Sequence, residues 1–132
     1  MEWVCAFAPA SIGNAGPGFD VLGMAITGPG DRVWARRVPR PGICITEISG
    51  FSQSIPQDPA LNSAGIAASG VLRTIDARDG LDLRLEKGIP PASGLGSSAA
   101  SASAGAFAAS AAFGNPLPRE VLLPFCIDAE RA

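Results

Sequence analysis

The residues best placed to do chemistry in this chain are small ones. From 93 to 98 it reads Ser-Gly-Leu-Gly-Ser-Ser, preceded by Pro90 and Pro91 and followed by an alanine-rich run. Glycines at 94 and 96 let a backbone close around an anion with no Cβ in the way. The hydroxyls of Ser97 and Ser98 can donate to phosphate oxygens or ligate a hard cation. Where such a loop enters a helix, the first-turn N–H groups lack intrahelical acceptors, and the helix dipole adds about half a positive charge. Together these make an anion site. The chain has no histidine and no tyrosine, which excludes Ser-His and Cys-His nucleophilic catalysis and His-ligated metals within it. Carboxylates, hydroxyls, amides, arginines and backbone groups remain.

The loop needs a strand before it and a helix after it. "LDLRLEKG" alternates, with Leu81, Leu83 and Leu85 on one face and Asp82, Arg84 and Glu86 on the other, and reads as a half-buried strand. "AASASAGAFAASAAF" is rich in the best helix former, so a helix is expected from about Ser98 to Phe113. A flexible Gly/Ser linker is the competing reading, but a strand and a helix this close call for a tight turn. Upstream, "WVCAFA" reads as a short strand ending at Pro9, and "DRVWARRV" and "ICITEIS" as two strands joined by the 39–42 turn. Leu61, Ala64, Ala68, Val71, Leu72 and Ile75 recur at helical spacing, and a last helix opens at Pro118-Arg119-Glu120 and runs to "DAERA". The fold class is α+β.

With 132 residues, 47% hydrophobic and 17% charged, the chain is sized for one folded domain, 1–132. Net charge is −2, and Lys87 is the only lysine beside nine arginines. Arg32, Arg36, Arg37 and Arg40 read as a solvated face, since no basic stripe continues elsewhere; no nucleic-acid partner is expected. Cys5, Cys44 and Cys126 are isolated, which argues for free, buried thiols and against a zinc site or disulfide framework. No signal peptide is recognisable, and the weakly polar stretch 99–113 is too short to span a bilayer, so no membrane partner and a cytoplasmic location are expected.

Two nucleotide loops can be compared with the motif. A Walker A loop needs a lysine where Ser97 follows Gly96. A dinucleotide G-x-G-x-x-[GA] loop fits only loosely and needs more βα units than the 33 residues after Ala99 allow. "PPASGLGSSAA" instead closely resembles the phosphate-binding motif of the GHMP kinases, Pro-x-x-x-Gly-Leu-Gly-Ser-Ser-Ala, with every fixed position present from Pro90 to Ala99. Within that family, "FAPASIGNAGPGFDVLGMAI" is similar to the N-terminal signature of the homoserine kinases. Ala8, Pro9, Asn14, Gly16, Gly18, Phe19, Asp20 and Gly23 fall in register, and "PQDPALNSAG" places Asn62 at the family's asparagine.

The resemblance implies a two-layer α+β sandwich with a left-handed β-α-β unit. It also implies ATP-dependent phosphorylation of the L-homoserine hydroxyl to O-phospho-L-homoserine, in threonine biosynthesis. Another GHMP kinase of mevalonate or sugar type, or a non-catalytic nucleotide-binding fragment, is the alternative. ATP would be wrapped by Pro90, Pro91, Ala92, Ser93, Gly94, Leu95, Gly96, Ser97, Ser98, Ala99 and Ala100, with Asn62 at the nucleoside end. Mg²⁺ would be held by Ser98 and by Glu130, which lies in "FCIDAERA", similar to a family helix; Asp128 competes with Glu130. Asp20 would hold the homoserine ammonium, and Asn14 its hydroxyl. The plainer readings are a helix N-cap for Asp20, a turn residue for Asn14 and an exposed helix-end carboxylate for Glu130. No catalytic general base is assigned. The resemblance covers only the N-terminal part of the family's length, so the C-terminal domain is expected to be missing and the chain incomplete for catalysis. A homodimer stays open for the full-length protein.

Overall fold

A computed structural model describes residues 2–13, 23–52, 54–90, 93 and 95–131. The elements run β1 (Val4–Gly13), β2 (Gly23–Val38), β3 (Ile43–Gly50), α1 (Ser63–Thr74), β4 (Gly80–Lys87), α2 (Ser97–Ala112) and α3 (Arg119–Arg131). The strands form one mixed sheet in the order β1-β2-β4-β3. β1–β2 and β2–β4 pair antiparallel, while β3 and β4 pair parallel. β2 and β3 are joined by the expected turn but are not neighbours. β3 returns through α1 to β4, a β-α-β unit that places β4 between them, as a parallel pair requires a crossover.

β1 continues through Pro9 to Gly13 rather than stopping at the proline. It is an edge strand, where a missing N–H is tolerated, and its register shifts between Pro9 and Ser11. β4 is buried more completely than its alternation implies. Leu81 and Leu83 are fully buried towards the helices, and Asp82 is buried on the opposite face under Arg36 and Arg40. On that outer face Arg36 and Arg84 also stack on Trp3. The four upstream arginines are therefore paired rather than merely solvated: Arg32 meets Glu86 and Arg37 meets Asp79. Cys5 and Cys44 are exposed and Cys126 half-buried, which corrects the expectation of buried thiols. Ala8 and Ala10 of β1 point inward, and Cys5, with Phe7 and Pro9, falls on the outer side of that alternation.

The other layer is helical. α2 packs on β1 and β2 on one side and on α1 and α3 on the other. Ala102, Ala106, Ala108 and Ala109 are fully buried. A Cβ on Gly105 would stand 2.7 Å from the Ala64 carbonyl oxygen, so glycine is what lets α1 and α2 touch. Among the described residues no helix is long and apolar enough to cross a membrane.

Candidate functional site

The loop after β4 does turn directly into a helix. Gly96 is the N-cap of α2, with φ 72° and no side-chain cap. That left-handed conformation suits glycine, and a Cβ there would collide with the Ser11 hydroxyl. The first intrahelical bond runs from Ala100 N–H to the Gly96 carbonyl, 2.9 Å. The amides of Ser97, Ser98 and Ala99 therefore precede the ladder. No acidic residue of α2 itself occupies its first turn. Leu95 accepts a hydrogen bond from Ser11 N–H at 2.8 Å, pinning the loop to β1.

A cavity of about 400 Å³ opens at this turn. Ser93, Leu95, Gly96, Ser97 and Ser98 line it from the loop, and Asn62 from the start of α1. Asn62 is buried and caps α1: its Oδ1 accepts from Ala64 and Gly65 N–H, while Nδ2 donates to the Pro56 carbonyl. It fixes the opposite wall of the cavity. Pro90 is half-buried, and its carbonyl accepts from the Ser93 hydroxyl at 2.6 Å. Ala99 and Ala100 face a second groove, along β1 and α3.

Ser98 is exposed, and its hydroxyl lies 3.0 and 3.1 Å from the two carboxylate oxygens of Glu130 on α3. Asp128 is two residues away, about 200° around the helix. The two hard oxygen donors thus meet at Ser98, which lines the cavity. Asn14 and Asp20 lie outside the described residues, as do Pro91, Ala92 and Gly94. Gly13 and Gly23, on either side of residues 14–22, pair directly between β1 and β2.

The structure adds three residues that the motif reading passed over. Under the first turn of α2, Lys87 at the end of β4 forms an ion pair with Asp31 of β2 and a hydrogen bond with Ser101. Lys87 shares the parity of Leu81, Leu83 and Leu85, so the strand pattern already pointed it inward.

Comparison with known proteins matches the same features. The family described as "GHMP kinases N terminal domain" matches residues 62–132. The homoserine kinase of Xylella fastidiosa (strain M12) is 42% identical over 125 residues, covering 95% of this chain and 39% of that protein. The crystal structure of homoserine kinase from Cytophaga hutchinsonii superposes with a TM-score of 0.93 at 39% identity, over 98% of this chain and 41% of that one. The Methanococcus jannaschii mevalonate kinase superposes at 0.73 with 15% identity, over 98% and 46%, and shares the fold alone. The chain spans about two fifths of the length of the homoserine kinases it matches.

Proposed function

This chain belongs to the GHMP kinases, and from that premise we propose that it is the nucleotide-binding N-terminal part of a homoserine kinase. The protein would transfer the γ-phosphoryl group of ATP to the side-chain hydroxyl of L-homoserine, a cytoplasmic step of threonine biosynthesis. The observation that carries this reading is the Gly96-capped start of α2, where Gly96, Ser97 and Ser98 line a cavity and the Ser98 hydroxyl meets the Glu130 carboxylate.

Phosphoryl transfer asks a protein chiefly for position and charge neutralisation. The amides of Ser97, Ser98 and Ala99 supply fixed donors for phosphate oxygens, aligned by a buried helix that need not reorganise. Ser98 and Glu130 fit Mg²⁺, which is content with one or two protein oxygens plus phosphate and water. Bound there, the ion would neutralise charge on the phosphates. Asp20 would hold the homoserine ammonium and Asn14 its hydroxyl, leaving proximity to do the work of a general base.

The deciding experiment is turnover by the full-length protein with homoserine, mevalonate and galactose as separate acceptors. ATP consumption with homoserine alone supports the reading, and consumption with either competitor and not homoserine overturns it. Asp20→Asn should raise the homoserine KM far more than the ATP KM; an equal rise in both would make Asp20 a structural cap.

A further inference from the structure

We infer that Lys87, acting with Asp31 and Ser101, is a positioning residue that aims the phosphate-binding turn from beneath. The inference rests on the nucleotide-binding reading above. All three side chains are 3% exposed or less. The three ammonium hydrogens of Lys87 have three acceptors: the Asp31 carboxylate, the Ser101 hydroxyl and the Ser97 carbonyl at 3.1 Å. Ser101 donates to Asp31 Oδ2 at 2.9 Å, and Gly88 N–H donates to Asp31 Oδ1 at 2.9 Å. The network therefore ties β2, the end of β4 and the first turn of α2 together.

The contact to Ser97 is the informative one. In a planar trans peptide the carbonyl and the next N–H point in opposite directions. Because the Ser97 carbonyl is held on the ammonium, the peptide plane that also carries the Ser98 N–H is anchored at the wall of the cavity that Ser97, Ser98 and Lys87 line. The helical ladder orients that plane along α2, and the ammonium adds a donor anchored in β4 that ties it to the sheet, which non-directional apolar packing would not do. Asp31 balances the ammonium charge, so the contribution is orientation rather than long-range attraction.

The test compares Ser101→Ala and the paired change Asp31→Asn with Lys87→Met, both in the full-length protein. The paired change removes both charges together, so neither is left buried alone. Titration with the magnesium complex of a non-hydrolysable ATP analogue gives the affinity, and thermal melting reports the fold. The paired variant should bind the analogue about tenfold more weakly, and Ser101→Ala about three- to fivefold, roughly one or two hydrogen bonds' worth. The homoserine KM should stay within about twofold. Lys87→Arg, which keeps the charge, should recover part of the loss. Parental affinity in a folded Ser101→Ala and a folded paired variant would overturn the inference. If the paired variant does not fold, Ser101→Ala decides alone, since it leaves the ion pair in place. A parent that binds the analogue but phosphorylates another acceptor would sink the homoserine reading and leave this inference standing. A parent that binds no nucleotide would sink both.

Discussion

Replacing Ser98 with alanine separates function from stability more cleanly than any other change at this site. Its hydroxyl bonds Glu130 at 3.0 and 3.1 Å, and both residues are exposed. A buried bond of this kind contributes about 1 kcal/mol, and solvent screening takes an exposed one to a fraction of that. Alanine is also the better helix former by about half a kcal/mol, which offsets the loss in the first turn of α2. The two effects nearly cancel, and the melting temperature should move by no more than about 2–4 °C. If Ser98 holds Mg²⁺ and touches the phosphates, losing it resembles losing a preorganised donor to developing charge, about 10²–10³ in rate. The assay is steady-state phosphorylation of homoserine by the full-length variant across a magnesium titration. It should show kcat/KM for ATP down about a hundredfold and a higher magnesium requirement, with melting unchanged. A kcat/KM within about threefold of the parent, at any magnesium level, would refute the assignment.

Three further outcomes follow from the same geometry. Glu130→Gln should raise the magnesium requirement while Asp128→Asn leaves it within about twofold, because only Glu130 meets Ser98 among the described residues; parallel effects would reject that pairing. Gly96→Ala should cost about 1–2 kcal/mol in denaturant unfolding from its left-handed backbone alone, and more from contact with the Ser11 hydroxyl; an unchanged midpoint would contradict the cap geometry. Burial raises the Cys126 thiol above its ordinary value. Its alkylation rate should therefore climb at higher pH in the folded protein than in urea, as mass spectrometry of labelled peptides can read; identical pH profiles would refute the effect.

The loop and its helix were legible because their signals are local. A glycine that must take φ 72°, and alanines that must be helical, write themselves into consecutive residues. Sheet order was not legible in the same way. Nothing local says that β3 must pass over α1 and return beside β4, since "DRVWARRV" and "ICITEIS" look like a hairpin until the parallel pair is seen. Pro9 misled for a related reason: its missing N–H ends a central strand but is harmless on an edge, and edge status is a property of the whole sheet. The cysteines were read from residue type, whereas strand alternation sets the face of Cys5. Lys87 was hidden by chemistry that runs against type, because a lysine is expected outside unless a buried partner awaits it. That partner, Asp31, is 56 residues away in sequence.

The same contrast explains why a low-complexity stretch is not a linker. In a polar Gly/Ser tract nothing resists motion, but here the tract is continuous with a helix in which alanines outnumber the serines. Most of α2 is buried, between the sheet and α1 and α3. Its small side chains, Gly105 above all, bring the neighbouring backbones into contact, which stiffens the helix without bulky residues. A rigid axis then presents the Ser97–Ala99 amides at a fixed height above the sheet. The loop's own residues can be small because the directional work is done beneath them, by Ser11 on Leu95 and by Lys87 on Ser97. Substituting larger apolar residues along α2 should therefore weaken nucleotide binding before it unfolds the domain, by tilting the helix that carries those amides.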